Sequence, residues 1–350
     1  MDQEKKIRIA INGFGRIGRA FYKLARMHPE LDIVAVNDLG DVENMAYLLK
    51  YDTVYGRADF DVTPVLSSGS EAPGLIIDGK KIILVQEKDA TKLPWRDMAI
   101  DIVIESTGFF TSYDKAKVHL DQGAKRVVIT APVKGEPAPG ITTATVLMGI
   151  NHDKLATCQI SSNASCTTNA VSPVITILHE KIGIEKAILN TTHAYTGTQK
   201  IVDGPGGKDL RGGRAAAQNM IPASTGAAIA TTEAVPDLIG KFDGISVRVP
   251  VVAGSLADVT FIAKRGTSVE EVNQILRDAA KEDRWKGIFK VTDEPIVSSD
   301  IVGELYGSIA DLDMTRVVDG NLVKVLAWYD NEMGYTNTLV MHVTEIAKYL

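Results

Sequence analysis

Short runs of consecutive apolar residues alternate with amphipathic stretches through the first third of the chain. Residues 7–11 (Ile-Arg-Ile-Ala-Ile), 32–37, 101–105 and 126–129 are such runs. Their length and continuity predict buried strands of a parallel sheet. Segments 19–27, 41–50 and 113–122 have helical composition, and their alternation with the strands predicts a doubly wound α/β sheet. The pattern is broken at 60–65 and 75–85, which are expected as antiparallel strands separated by a polar loop at 67–73.

The second half changes character. A helix is expected from Cys166 to about residue 180, with Pro173 as an unexplained interruption. Strands follow at 186–192, 245–250, 257–263 and 322–328, with helices at 268–281 and 336–349. This is the pattern of an α+β domain with a largely antiparallel sheet. The final helix finds no partner in its own segment and is expected to return to the first domain. The predicted division is 1–165 completed by 332–350, and 166–331.

Composition narrows the function. The chain has 350 residues, 45% of them hydrophobic and 23% charged, enough for two domains and a sizeable core. Its net charge of −6 gives a dedicated nucleic-acid role no support. Two cysteines make no disulfide framework, which fits a reducing, cytoplasmic setting. The charged start, Met1-Asp2-Gln3-Glu4-Lys5-Lys6, is not expected to be a signal peptide, and no apolar run approaches a membrane span. No metal-ligand spacing stands out.

Two stretches carry candidate chemistry. The first is Asn12-Gly13-Phe14-Gly15-Arg16-Ile17-Gly18, between a predicted strand and a predicted helix. There Gly13 allows the tight turn, Gly15 lets backbone approach a pyrophosphate, and Gly18 lets helix and strand pack closely. The diphosphate would rest on the helix N-terminus at Arg16 and Ile17. Asp38, 20 residues past Gly18, is placed to hold ribose hydroxyls. With Asp41 nearby and no cation within several residues, a 2′-phosphate would be repelled, so NAD is the expected cofactor. Thr107, Gly108 and Thr130 stand at strand carboxyl ends, where cofactor contacts and ordinary polar strand ends look alike.

The second stretch is Ser161-Ser162-Asn163-Ala164-Ser165-Cys166-Thr167-Thr168-Asn169. It places a thiol at a predicted strand-to-helix junction, where unpaired N–H groups and the helix dipole favour a thiolate. A free cysteine is as commonly a buried structural residue, so company matters. His193, at the end of a predicted strand, is a candidate base. A Gly-rich segment at 204–213 is too long to be an idle loop. Ser224-Thr225-Gly226-Ala227 opens a predicted helix and suits either a phosphate or a plain N-cap. Arg248, within an apolar strand, must pair with a carboxylate or hold an anion.

Taken together, the chain resembles phosphorylating glyceraldehyde-3-phosphate dehydrogenases. The resemblance rests on 11–19, on Ser162 to Asn169, on His193-Ala194-Tyr195-Thr196, on 208–216 and on Trp328-Tyr329-Asp330-Asn331-Glu332. It implies Cys166 as nucleophile and His193 as base. It implies Thr196 and Arg248 as holders of the substrate phosphate, and Ser165, Thr167, Thr225 and Gly226 as the site for inorganic phosphate, with Arg211 a further phosphate ligand. Asn331 would hold the nicotinamide carboxamide. The implied partners are glyceraldehyde 3-phosphate, inorganic phosphate and three further copies in a homotetramer. Erythrose-4-phosphate dehydrogenase of the same family, or a catalytically silent NAD- or RNA-binding homologue, are the alternatives. The run Val251-Val252-Ala253-Gly254-Ser255-Leu256 departs from the family's usual Thr-Pro-Asn-Val-Ser and leaves the local strand ending open.

Overall fold

The computed structural model describes residues 6–69, 72–133, 135, 139–207 and 209–350. The charged start at 1–5, part of the polar loop at 70–71, and Lys208 in the Gly-rich segment lie outside the described residues. The chain forms two compact units: 1–146, 152–163 and 339–350 make the first, and 147–151 with 164–338 the second.

The first unit is built on a nine-stranded sheet. In spatial order its strands are Thr143–Thr145, Ile160–Ser162, Arg126–Ile129, Ile102–Glu105, Ile7–Asn12, Leu31–Asn37, Lys80–Leu84, Gly74–Ile77 and Val62–Val65. The first seven run parallel, and the last two close the edge antiparallel. Ile9, Ala10 and Ile11 are all fully buried, as a strand covered on both faces requires. The helices between strands are Arg16–Ala25, Val42–Lys50 and Tyr113–Asp121. Residues 75–85, expected as one strand, are two: the chain reverses at Asp78 and Gly79, where φ is 46° and 81°. The first arm pairs antiparallel with Val62–Val65, and the second joins Leu31–Asn37 in parallel.

Strand Ile7–Asn12 lies between Leu31–Asn37 on one side and Ile102–Glu105 on the other. Chain order reverses there, so the carboxyl ends of these strands border a crevice, the place where doubly wound sheets bind ligands. The unit also takes in the end of the last helix, Met333–Ala347. His342 on that helix is fully buried, with Ser161 Oγ 2.8 Å from Nε2 and Asn163 Oδ1 3.3 Å from Nδ1.

The second unit holds a seven-stranded mixed sheet. Its order is Ile221–Ser224, Phe242–Val249, Ile184–Ala194, Ser255–Ala263, Leu322–Tyr329, Ser308–Val318 and Phe289–Thr292. Most neighbours are antiparallel; Phe242–Val249 runs parallel to Ile184–Ala194, and Phe289–Thr292 parallel to Ser308–Val318. Helix Cys166–Ile182 is buried along nearly its whole length and runs through Pro173 without ending. It packs on the central strands and against helices Ala227–Ala234 and Val269–Ala279. Burial alternates strictly along Ser255–Ala263, so one face of the sheet meets the helices. On the strands and adjoining loops, Ile188, Ile239, Ile245 and Leu322 remain exposed.

The departure at 251–256 has a physical basis in the structure. Gly254 takes φ 86°, and a Cβ there would stand 2.1 Å from the Ser298 carbonyl oxygen. The segment therefore turns tightly into strand Ser255–Ala263 through a position only glycine can fill.

Candidate active site

In the first unit the strand carboxyl ends line a cavity of about 540 Å³. Asn12, Gly13, Gly15, Asn37, Asp38, Ser106 and Thr107 border it, all from the switch-point strands and the turns after them. Gly13 has φ 95°, and a Cβ would collide with the Ser106–Thr107 backbone; around Gly15 nothing stands within 4 Å of such an atom. The wall is thus bare backbone where a pyrophosphate needs close approach. A Cβ at Gly18 would lie 2.2 Å from the Gly13 carbonyl oxygen, which is the close packing expected there.

The Asp38 carboxylate is held in place: Phe14 N donates to Oδ2 at 2.7 Å, and Gly40 N to Oδ1 at 3.0 Å. Beneath the cavity runs a buried polar chain that sequence spacing did not reveal. Glu105 accepts from Asn12 Nδ2 at 2.6 Å and pairs with His119 Nε2 at 2.9 Å, while Trp95 Nε1 donates to His119 Nδ1 at 3.1 Å. Asn37 in turn donates to Asn12 Oδ1 at 2.7 Å. Cavity walls Asn12 and Asn37 are therefore fixed by groups from distant strands and a helix.

Several expected contacts stand apart from this lining. Arg16 Nη1 donates to Asp52 Oδ2 at 3.0 Å, and Thr130 Oγ1 bonds the Glu105 carbonyl at 3.1 Å. Arg16, Ile17, Gly18, Gly108 and Thr130 do not line the cavity. Residues missed by sequence reasoning do, among them Leu39 and Phe109, both large, apolar and exposed, and Glu87 and Lys88. Lys88, 50 positions from Asp38 in sequence, thus brings a cation to the same cavity.

The second unit brings the thiol and the imidazole together. Ala164, buried with φ 53°, turns the chain, and Ser165 caps the helix by accepting from Thr168 N at 3.1 Å. Cys166 is then the first helical residue. On strand Ile184–Ala194, Leu189, Thr191 and His193 share the helix-facing side by the two-residue period. That periodicity sets His193 Nε2 3.3 Å from Cys166 Sγ. Register pairs His193 directly with Arg248 on the neighbouring parallel strand. Arg248 Nη1 stands 2.6 Å from His193 Nδ1 and 3.3 Å from the Ala194 carbonyl oxygen, and that carbonyl is itself 2.6 Å from Nδ1.

Among the described residues no carboxylate pairs with Arg248, so the ion-pair alternative for it is overturned. Its Nε is buried without a hydrogen-bond partner. Tyr329 completes the group, edge-on to the His193 ring, with its hydroxyl 2.9 Å from Thr167 Oγ1 and 2.8 Å from Thr191 Oγ1.

Electrostatics here oppose the expected ready thiolate. Burial pushes the Cys166 thiol up, countered in part by Arg248 and by the N–H of Thr167. Burial and then the guanidinium lower His193 to about 3. Both shifts disfavour the charged forms of the pair.

Other expected groups have local partners. Asn331 is buried, its Oδ1 accepting from Ser255 Oγ at 3.0 Å, which leaves its amide N–H₂ group to donate elsewhere. Thr196 closes a turn on Gln199, Thr225 Oγ1 accepts from Ala227 N at 3.2 Å, and Gly226 caps helix Ala227–Ala234. Arg211 is exposed within the short helix Leu210–Gly213.

A cavity at the switch point of one unit and a thiol–imidazole–guanidinium group in the other fit the class of nicotinamide-dependent dehydrogenases. Residues 7–113 match the family model described as glyceraldehyde 3-phosphate dehydrogenase, NAD binding domain, and 165–331 match the C-terminal domain of the same family. Similar proteins are glyceraldehyde-3-phosphate dehydrogenases of Zymomonas mobilis (44% identical, covering 98% of this chain and 99% of the relative) and Thermotoga maritima (48%, 95% and 97%). That of Geobacillus stearothermophilus is 43% identical, covering 98% of each. The chain belongs to the glyceraldehyde-3-phosphate dehydrogenase family.

Proposed function

We infer that this chain oxidises glyceraldehyde 3-phosphate with NAD and inorganic phosphate, giving 1,3-bisphosphoglycerate and NADH. The observation that carries the reading is the 3.3 Å approach of Cys166 Sγ to His193 Nε2 beside a guanidinium without a carboxylate. Bound in the first unit's cavity, NAD supplies the acceptor for the hydride. Bare backbone at Gly13 and Gly15 suits its pyrophosphate, the Asp38 carboxylate its ribose hydroxyls, and the exposed faces of Leu39 and Phe109 its adenine. Asn331 holds the carboxamide. We assign 1–165 with 332–350 to cofactor binding and 166–331 to catalysis.

Cys166 adds to the aldehyde carbon to form a hemithioacetal, and His193 Nε2 takes its hydroxyl proton as the carbon is oxidised. The thioester that results keeps the acyl group activated, where a plain aldehyde hydrate would yield an inert acid. Phosphate then attacks the thioester carbonyl, the C–S bond breaks, and the Cys166 thiolate leaves. Arg248 and Thr196 hold the substrate's phosphate. Ser165, Thr167, Thr225 and Gly226, with Arg211, hold the attacking phosphate, aided by the N-terminus of helix Ala227–Ala234.

Exposed apolar side chains on the open sheet face of the second unit, beside a groove of about 720 Å³, support a homotetramer as the working form. We place the enzyme in the cytoplasm. No helix among the described residues is long and apolar enough to cross a membrane.

NADH absorbance with glyceraldehyde 3-phosphate and with erythrose 4-phosphate, each with and without phosphate, tests the reading. Phosphate-dependent turnover of the triose, lost in Cys166→Ser with NAD binding intact, is expected. Preference for the tetrose, or turnover by the serine variant, would overturn it.

A further inference from the structure

The polar chain beneath the first unit's cavity has a direction, and its two ends dictate it. At one end Glu87 offers Asn37 both an N–H and a carbonyl. Glu87 N donates to Asn37 Oδ1 at 2.8 Å, and Asn37 Nδ2 donates to the Glu87 carbonyl at 2.9 Å. Turning the Asn37 amide over would set donor on donor and acceptor on acceptor. Asn37 Nδ2 therefore points its second hydrogen at Asn12, 2.7 Å away, and Asn12 must meet it with Oδ1. That leaves Asn12 Nδ2 to donate onward to Glu105 Oε2 at 2.6 Å. At the other end stands the Trp95 indole, which can only donate. It reaches His119 Nδ1 at 3.1 Å, so the ring proton is on Nε2, which donates to the same Glu105 oxygen at 2.9 Å.

Two series of donors thus converge on one residue from opposite ends. Glu105 Oε1 takes two further bonds, from Thr107 N at 2.9 Å and Thr107 Oγ1 at 2.5 Å. Both oxygens accept and neither donates. A carboxylate can do that, whereas an amide of the same shape sets an N–H₂ group against donors whichever way it is turned. Glu105 is 2% exposed and is not itself part of the cavity lining. The groups gathered on it do border the cavity: Asn12, Asn37 and Thr107 at three neighbouring strand ends, and Glu87 in the loop after a fourth. Thr107 N also stands 2.7 Å from where a Cβ on residue 13 would be, so its placement sets the surface on which the Gly13 turn rests.

We propose that Glu105 is a positioning residue for the cofactor: by gathering these donors it holds the cavity walls in their binding shape before NAD arrives, and so sets the affinity for NAD without touching it. This rests on the assignment of the cavity to NAD above and deepens it. Walls already in place spare the cofactor the cost of ordering them. A buried network left partly satisfied is worse than none, because each donor facing a donor draws its own wall out of position. Cys166 and His193 belong to the other unit and share none of these bonds. The loss should therefore fall on cofactor binding and spare the chemistry.

Calorimetric titration of the intact protein with NAD, and steady-state kinetics with each substrate varied in turn, test this. Glu105→Gln should raise the Kd and the KM for NAD about tenfold or more, with kcat at saturating NAD and the KM for glyceraldehyde 3-phosphate unchanged within about twofold. Trp95→Phe takes away only the donor at one end and keeps a ring in the core. It should show the same selective rise to a smaller degree, about threefold, and carries the comparison if the glutamine variant does not fold. In the wild-type protein, ¹⁵N-histidine NMR at neutral pH should find the His119 proton on Nε2 and none on Nδ1, a readout that needs no variant.

Unchanged NAD affinity in the variants, a fall in kcat or a rise in the triose KM as large as the loss of NAD affinity, or a His119 protonated on Nδ1 would overturn the positioning role. Wild-type protein that fails to bind NAD would instead overturn the assignment of the cavity itself.

Discussion

The Tyr329 hydroxyl bridges Thr167, on the first turn of the Cys166 helix, and Thr191, two residues before His193 on its strand. One side chain thus ties the element that carries the nucleophile to the element that carries the base. Tyr329→Phe removes both bonds; Thr191 Oγ1 keeps the Leu256 carbonyl at 3.3 Å, while Thr167 Oγ1 loses its bond to the phenol, at a cost of about 1–3 kcal/mol. Chemical denaturation should show that loss, with the Cys166 alkylation rate altered as the two elements loosen. An unchanged unfolding midpoint would show that the bridge contributes nothing.

Arg248 and Thr196 should matter for one aldehyde and not for another. A guanidinium–phosphate hydrogen bond is worth roughly 1.5–3 kcal/mol, so Arg248→Ala should lower kcat/KM for glyceraldehyde 3-phosphate by roughly ten- to a hundredfold or more. Thr196→Ala should do the same to a smaller degree. Unphosphorylated glyceraldehyde should be oxidised no more slowly by either variant. Equal losses on both substrates would count against phosphate recognition.

Gly254→Ala is expected to be severe although the residue touches no substrate. Its φ of 86° and the Ser298 carbonyl 2.1 Å from the added carbon leave no room without moving backbone. A loss of roughly 3 kcal/mol or more should appear as a lowered melting temperature. A variant as stable as wild type would mean that the turn into strand Ser255–Ala263 can be remade.

His342 gives the fold an acid weakness. Burial lowers it to about 3, so it stays neutral in the folded protein while the unfolded chain binds a proton below about pH 6.5. The unfolded state therefore holds more protons between those values. Its contribution is complete above pH 6.5 and is lost as pH falls toward 3, at about 1.4 kcal/mol per pH unit. His193 acts in the same direction. His342→Gln should flatten the pH dependence of unfolding in that window by about one proton. An unaltered slope would refute the assignment.

Sequence by itself determined the parts whose causes are local. The glycines at 13, 15 and 18 follow a continuous apolar run, and backbone sterics dictate what such a turn must be. The Cys166 helix and the strand that ends at His193 were legible as local runs of the chain. Elsewhere the period was obscured: strand Ser308–Val318 went unseen because Asp311, Asp313 and Arg316 interrupt its apolar pattern, although Asp311 is buried and accepts from Trp328 Nε1. The hairpin at 74–84 looked continuous because its reversal occupies only Asp78 and Gly79.

Tertiary structure alone decided the pairings made across the sheet. Register sets Arg248 beside His193, and no spacing of 55 residues could announce that. The same holds for Lys88 at the Asp38 cavity, for Glu105 and His119 beneath Asn12, and for Tyr329 between two threonines. It also decided the balance of forces on the thiol. A helix N-terminus favours thiolate on local grounds, but burial, a property of everything packed around the sulfur, pushes the other way. Local sterics and periodicity act between near neighbours in the chain, whereas register, desolvation and hydrogen-bond competition act between neighbours in space.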